Sequence, residues 1–173
     1  MTKKEFFRIV SNGEEDVIQI FLDALSAGNV DYCVIGGLAV NAYAEPVVSL
    51  DLDIVVAIND IETACKAVGV HFKIERFEHS VNLSSNKSDL RIQLRIDRRY
   101  QNFIAGAAIH SVLGYDMKVA IVEDVLQGKI WAYSDEQRRK SERQKDLADI
   151  IRLIEIYPHL AGQLPDSIRK IVE

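Results

Sequence analysis

Apolar residues recur along this chain with two different periods, and these predict both helices and strands. From 14 to 28 they recur every three to four residues up to a glycine, which predicts a helix. From 50 to 58 and from 89 to 97 apolar and polar residues alternate, which is the period of a half-buried strand. By the same two rules, further helices are predicted at 38–43, 60–68, 100–108, 122–133, 141–157 and around 168, and further strands at 32–35, within 110–121, and at 71–77 paired with 80–83.

The order of these elements indicates the fold class. Strands and helices are mixed up to about residue 120, and the remainder of the chain is mostly helical. We therefore expect an α/β or α+β core over 1–120 and a C-terminal helical lobe over 121–173. A chain of 173 residues is close to the ordinary size of one domain, so we expect the lobe to pack on the core as one compact unit.

Composition narrows the class of protein. Hydrophobic residues at 48% and charged residues at 27% exclude a disordered or repetitive chain. No apolar run reaches the ~18 residues of a membrane span, and the first residues lack the apolar centre of a signal peptide, so no membrane contact is expected. Cys33 and Cys65 lack metal-ligand spacing, which indicates reduced thiols in a cytoplasmic protein. The net charge of −5 argues against a protein that coats nucleic acid.

Two glycines and two aspartates stand in an order that suits a phosphate site beside a metal site. Gly36 and Gly37 follow a predicted strand and precede a helix, and backbone N–H groups at such a turn can bind phosphate. Asp51 and Asp53 are two residues apart on a strand, so their carboxylates share a face about 7 Å apart along the backbone. Such carboxylates repel unless a cation lies between them, and oxygen ligands of this kind suit Mg²⁺. Each pair alone is common in tight turns or exposed strands, but their combination in one unit is more specific.

The segments YCVIGGLAV (32–40) and SLDLDIVV (49–56) resemble the DNA polymerase β-type nucleotidyltransferase superfamily. Within it, the chain resembles the AbiEii/AbiGii-type toxin nucleotidyltransferases. The resemblance implies a nucleotidyltransferase-type mixed sheet flanked by helices. It also implies that Gly36 and Gly37 bind the phosphates of the nucleotide, with Ser49 beside them. Asp51 and Asp53 would bind the catalytic magnesium ions.

The same resemblance places a third metal-binding carboxylate on a later strand, near Gln93. An amide is a poor substitute for a carboxylate on magnesium. Asp89 and Asp97 lie on the same polar face of that strand and are the other candidates, although this face could also be simply solvated. Relatives often carry an arginine shortly before the paired aspartates, where this chain has Val47 and Val48.

Two charged residues fall inside the apolar stripes of consecutive helices. Lys129 lies within the apolar arc of 122–133, and Asp146 lies within that of 141–157. The residues alone leave open an ion pair or a role in a site. The segments GKIWAY (128–133) and KDLADI (145–150) resemble the C-terminal motif of the AbiEii-type family. This resemblance implies that Lys129 contacts nucleotide phosphate, and that Asp146 orients it or acts as an acid–base or ligand group.

A basic run over 138–145 adds a further alternative. It is either a solvated helix entry or a contact for a triphosphate or an RNA backbone.

Together these features predict a nucleotidyltransferase that uses Mg²⁺ or Mn²⁺ and moves NMP from an NTP to an RNA or protein hydroxyl. The expected catalytic residues are Asp51, Asp53, Lys129 and Asp146, and tRNA is one possible acceptor. The AbiEii resemblance adds a toxin–antitoxin or phage-defence role with a cognate antitoxin. The alternative, motivated by Gln93, is a degenerate member of the same fold that binds nucleotide or a protein partner without turnover.

Overall fold

A seven-stranded mixed sheet forms the centre of the computed structural model, which describes all 173 residues. The strands are β1 (Tyr32–Ile35), β2 (Asp51–Val56), β3 (Lys73–Arg76), β4 (Ser80–Ser85), β5 (Ser88–Arg95), β6 (Ala108–Val112) and β7 (Tyr115–Val119). The α-helices are α1 (Lys3–Val10), α2 (Val17–Ala27), α3 (Gly36–Val40), α4 (Ile61–Val68), α5 (Phe103–Gly106), α6 (Val122–Ser134), α7 (Lys140–Ile156) and α8 (Asp166–Val172).

The strand order is β3-β4-β5-β2-β1-β7-β6. β2 is parallel to β5 and β1 is parallel to β7, while the other neighbours are antiparallel. The sequence-based expectation of a mixed sheet with flanking helices and a helical end is therefore confirmed. The hairpin predicted from 71–77 and 80–83 is present as β3 and β4.

The central position of β2 explains its apolar side chains. Leu52, Ile54 and Val56 are fully buried because β2 has a neighbour on each edge and helices pack on the sheet. The hydrophobic core is one cluster of 43 buried residues, and it includes residues of α6, α7 and α8 as well as of the sheet. The division into a core over 1–120 and a lobe over 121–173 stays a prediction.

Three of the predicted elements differ in the structure. The helix predicted over 38–43 is α3 (Gly36–Val40), which begins at the two glycines and ends earlier than predicted. The segment 100–108, predicted as one helix, is a 3₁₀ turn (Arg98–Tyr100) followed by the four-residue helix α5. The segment 110–121, predicted to contain one strand, lies in a hairpin of two strands, β6 and β7. Its turn is formed by Leu113 and Gly114, both with positive φ, as a tight two-residue hairpin requires. The first of these two residues is a leucine, which is not a typical turn residue.

Helix α1 was not predicted from the sequence, because the helix and the pattern that marks its beginning are both short. Thr2 and Glu5 form a reciprocal capping box in front of an eight-residue helix. None of the eight α-helices combines the length and apolar character that a membrane crossing requires.

Candidate active site

The beginning of β2 carries Asp51 and Asp53 on one face, which we call the acidic strand end. β1 runs antiparallel to β2 and pairs Ile35 with Asp53, so the chain turns into α3 directly beside this carboxylate. A cavity of about 680 Å³ opens here. Both aspartates line it, together with Gly36, Gln93, Lys129 and Asp146. The structure therefore brings together residues that are up to 110 positions apart.

Gly36 has a conformation and a neighbour that exclude a side chain. Its φ is +75°, and a Cβ built on it would lie 2.4 Å from Asp53 Oδ2. Only glycine therefore lets the chain pass so close to the carboxylate. Gly37, in contrast, does not line the cavity, and its nearest side-chain atom would be Asp149 Oδ2 at 3.7 Å from a Cβ.

The two carboxylates of the acidic strand end have different surroundings. The Arg91 guanidinium donates two hydrogen bonds to Asp51, from Nε to Oδ1 at 2.8 Å and from Nη2 to Oδ2 at 3.3 Å. The carboxylate of Asp53 takes part in no hydrogen bond or ion pair. Burial raises the pKa of Asp53, while the positive charges of Arg95 and Lys129 act in the opposite direction. Asp53 is therefore a carboxylate for which the protein provides no direct partner.

Of the three candidates for a further metal ligand, only Gln93 lines the cavity. Asp89 accepts a hydrogen bond from Asn12 Nδ2 at 2.6 Å, and Asp97 caps the 3₁₀ turn after β5 by accepting from the Arg99 backbone N–H at 2.9 Å. Each lies four residues from Gln93, which is about 13 Å along a strand. The structure therefore does not bring Asp89 or Asp97 to the acidic strand end.

Ser49 also lies outside the cavity lining. Its hydroxyl accepts a hydrogen bond from the Asp51 backbone N–H at 3.2 Å. This contact fixes the backbone where β2 begins, so the observed role of Ser49 is to hold Asp51 in place. Its predicted contact with nucleotide stays a prediction.

Charged residues of α6, α7 and their connection form what we call the helix ion network: Lys129, Arg138, Asp146, Asp149 and Arg152. Three of them, Lys129, Arg138 and Asp146, line the cavity. Lys129 Nζ lies 2.9 Å from both Asp146 Oδ1 and Asp149 Oδ2. Arg138 Nε donates to Asp146 Oδ2 at 2.7 Å. Asp146 is 1% exposed, so this carboxylate is buried with partners on both oxygens. The ion pair that the sequence left as one alternative is thus present, with a second aspartate added.

The charge state of Lys129 follows from these contacts. Burial lowers the pKa of Lys129, but the charges of Asp149 and Asp146 and their hydrogen bonds raise it by more. The ammonium group therefore remains protonated, as a contact for phosphate requires.

The helix ion network continues to the loop that leads into β2. Arg152 donates to Asp149 Oδ1 at 2.7 Å, to Asn41 Oδ1 at 3.3 Å and to the backbone carbonyl of Glu45. Asn41 in turn exchanges hydrogen bonds with the backbone of Val47, at 2.8 and 3.0 Å. Helix α7 is thereby linked to the segment that precedes Asp51.

Sequence reasoning had missed Asp149 and Arg152, and it had singled out Arg138 only as part of a basic run. Asp149 lies just outside the apolar arc of α7, so hydrophobic periodicity does not mark it. Its position three residues after Asp146 was the available signal, because residues three apart are neighbours on a helix.

The chemistry of the acidic strand end fits a divalent cation. Mg²⁺ is commonly bound by one or two carboxylates together with substrate phosphates. Asp51 and Asp53 supply two carboxylates at the cavity, and Asp53 has no other partner. No group of three or more His, Cys, Asp or Glu side chains is arranged to bind a metal ion. The residues therefore suit an ion that brings further ligands with it.

The comparisons with known proteins bear on the fold. No protein-family model matches the chain, and no curated protein matches its sequence. Among solved structures, ANT(2'')-Ia in complex with adenylyl-2''-tobramycin is 16% identical, with 90% of this chain and 92% of that one covered and a TM-score of 0.55. The lincomycin-bound lincosamide antibiotic adenylyltransferase LnuA is 12% identical, with 82% and 98% covered and a TM-score of 0.56.

An antigenic nucleotidyltransferase-like protein from Paracoccidioides brasiliensis is 18% identical, with 88% of this chain and 91% of that one covered and a TM-score of 0.53. At such identities the similarity establishes the fold and not the activity. The chain thus has a nucleotidyltransferase fold, with a mixed sheet flanked by helices, as the resemblance implied. The finer resemblance to the AbiEii type stays a prediction.

Proposed function

We propose that this protein transfers a nucleotidyl group from an NTP to an acceptor hydroxyl, with a divalent cation as cofactor. The observation that carries the proposal is the unpartnered carboxylate of Asp53 near Asp51, in a cavity that Lys129 and Arg138 also line. A cavity that combines cation-binding carboxylates with fixed positive charges suits a triphosphate with its metal ion.

Each residue has a distinct role in this proposal. Asp51 and Asp53 hold Mg²⁺, which would activate the attacking oxygen and neutralise the leaving phosphates. Lys129 and Arg138 bind the triphosphate and stabilise the charge that develops on it. Asp146 binds both of these cations with its two oxygens, so we assign it the role of a positioning residue. In the transfer, a bond forms between the acceptor oxygen and the α-phosphorus, pyrophosphate leaves, and the acceptor proton passes to water.

The backbone N–H groups of Gly36 and Gly37 complete the nucleotide site in this proposal. Gly36 supports this role because it lies at the cavity next to Asp53. The role of Gly37 rests on the family resemblance.

The acceptor and the biological role rest on the resemblance to AbiEii-type enzymes. We propose an RNA, such as tRNA, or a protein side chain as acceptor, in a toxin–antitoxin or phage-defence setting with a cognate antitoxin. Fold neighbours act on other molecules, since the LnuA structure contains lincomycin and the ANT(2'')-Ia structure contains adenylyl-2''-tobramycin. Small hydroxylated molecules therefore belong among the acceptors to be tested.

The test is transfer of label from each α-³²P-NTP, with Mg²⁺ or Mn²⁺, to pools of tRNA, total RNA, protein and small hydroxylated compounds. We expect transfer by the wild type and loss of transfer in Asp53→Asn. The matched control is Asp89→Asn, which removes a carboxylate from the same sheet outside the cavity and retains transfer. Equal transfer by the wild type and Asp53→Asn would contradict the proposed mechanism.

A second candidate function is nucleotide binding without turnover. It is favoured by the amide of Gln93 and by the two hydrogen bonds that already occupy Asp51. Calorimetry separates the two, because NTP binding that requires Mg²⁺ supports the enzyme, whereas metal-independent binding without label transfer supports the binding module.

A further inference from the structure

Gln93 lies directly beside Asp53 on the neighbouring strand. β2 and β5 are parallel, and the register pairs Asp53 with Gln93. Both ends of the Gln93 amide are occupied, because Nε2 donates to Asn82 Oδ1 at 3.3 Å and Oε1 accepts from Arg95 Nη2 at 3.1 Å. The only atom of Gln93 that could bind a metal ion is therefore directed at a guanidinium group.

Arg95 lines the same cavity as Asp53 and is held there by contacts with Tyr100 and Gln93. Its guanidinium carbon lies 5.1 Å from the centroid of the Tyr100 ring, and its Nη2 donates to Gln93. Its Nε is buried and has no hydrogen-bond partner. Its positive charge acts to lower the pKa of the Asp53 carboxylate, against the effect of burial. A positive charge is thus built into the wall on which a further metal ligand was expected.

Guanidinium groups accompany the carboxylates along this wall. Arg91 forms a bidentate ion pair with Asp51, and Arg95 lines the same cavity as Asp53, two residues after Gln93 on β5. Sites that bind two divalent ions keep them about 4 Å apart, and their mutual repulsion has to be offset by surrounding negative charge. Two carboxylates accompanied by two guanidinium groups contribute little of that charge from the protein itself.

We propose that this cavity binds one divalent cation per chain, shared by Asp51 and Asp53, and that the Arg95 guanidinium takes the place of a second cation. The inference rests on the proposed function and makes it more specific. The positive charge that a second ion would offer the triphosphate comes instead from a fixed side chain. Saturation of the site with metal then requires only one divalent cation per chain.

The test is a count of bound ions. The full chain is saturated with a non-hydrolysable NTP analogue, and Mn²⁺ binding is followed by electron paramagnetic resonance and equilibrium dialysis. We expect one Mn²⁺ per chain. Two bound ions would overturn the inference and leave the proposed function standing, whereas no bound ion would overturn the metal-dependent function itself.

Two variants test which residues determine the number of bound ions. Gln93→Glu combined with Arg95→Gln supplies a carboxylate and removes the guanidinium, so we expect a second Mn²⁺ to bind. Gln93→Met keeps the length of the side chain without an oxygen ligand, and we expect one ion with unchanged affinity. A loss of that ion in Gln93→Met would show that Gln93 is a ligand and would overturn the inference. Circular dichroism of each variant establishes that it is folded, and the wild-type count decides the matter by itself.

Discussion

The two sides of the cavity treat their aspartates in opposite ways. In the helix ion network Asp146 is almost fully buried, and both of its oxygens have cationic partners. In the acidic strand end Asp53 has no hydrogen-bond partner, and its burial raises its pKa. The fold thus provides cationic partners for the aspartate on one side and no direct partner for the aspartate on the other.

This difference shows which side is built for stability and orientation and which for a ligand. A buried charge that loses its partners is strongly destabilising, so the helix ion network holds its members in fixed positions. An unpartnered carboxylate costs the fold free energy until a cation binds, which is typical of active sites. The following predictions compare the two sides on one scale, the free energy of unfolding.

The largest expected effect is the loss of Lys129. Lys129→Met leaves Asp146 and Asp149 without their shared cation, and we expect a loss of about 3–5 kcal/mol in urea denaturation. The control is Lys118→Met, which removes a more exposed ion pair with Asp31 and should cost about 1 kcal/mol or less. Lys129→Arg, which keeps the charge, should still fold if Lys129→Met does not. Equal losses of stability in the two Lys→Met variants would contradict the distinction between a buried ion network and a more exposed ion pair.

A smaller effect is expected at the turn beside Asp53. Gly36→Ala places a Cβ on a residue with φ of +75° and 2.4 Å from Asp53 Oδ2, so we expect a loss of about 1–3 kcal/mol. Gly37→Ala is the matched control, because its Cβ meets only ordinary contact at 3.7 Å and should change stability by about 0.5 kcal/mol or less. The measurement is again denaturation by urea. If Gly37→Ala were the more damaging change, the close approach of Gly36 to Asp53 would be disproved.

The smallest effect has the opposite sign. Asp53→Asn removes an unfavourable charge, and we expect a gain of about 0.5–2 kcal/mol at neutral pH, as is usual when an active-site strain is relieved. Asp51→Asn is the control, since it gives up a largely exposed ion pair with Arg91 and should lose about 1 kcal/mol or less.

The gain from Asp53→Asn should also depend on pH. Because the pKa of Asp53 is raised above its ordinary value of 3.8, the folded chain binds this proton more tightly than the unfolded chain does. The resulting stabilisation of the wild type is fully present below the ordinary value and is lost as the pH rises through the raised pKa. The advantage of the variant should therefore be smallest at acid pH and grow towards neutrality. An advantage that shrinks as the pH rises would contradict the raised pKa.

Much of the fold could be predicted because it depends on local patterns. The alternation around Asp51 and Asp53 predicts β2, and the bounds of β1 follow from a short apolar run closed by two glycines. The hairpin of β6 and β7 was predicted as a single strand because its turn begins with Leu113, whose positive φ is imposed by the surrounding structure and not by its own preference.

The candidate site could be predicted in part for the same reason. Asp51, Asp53 and Lys129 stand out in local patterns, and the cavity includes all three. The ion pair of Lys129 with Asp146 was one alternative from the sequence, because both residues interrupt apolar helical stripes. The pairing of Asp51 with Arg91 could not be predicted, because it depends on how two separate strands lie side by side. The expected third metal-binding carboxylate is the clearest example of what the sequence could not predict. Asp89 shares a strand face with Gln93 but lies too far along the strand to reach the cavity.

The sequence by itself determined most of the elements and the residue types that suit a cation and phosphate site, because hydrophobic periodicity and glycine placement act over a few residues. The mixed character of the sheet was implied only by the family resemblance. Only the tertiary structure decided which charges neutralise one another. Asp146 forms ion pairs with two cations, Asp53 forms none, and Arg95 donates a hydrogen bond to Gln93, because the distances between side chains on separate strands and helices are set by how those elements pack.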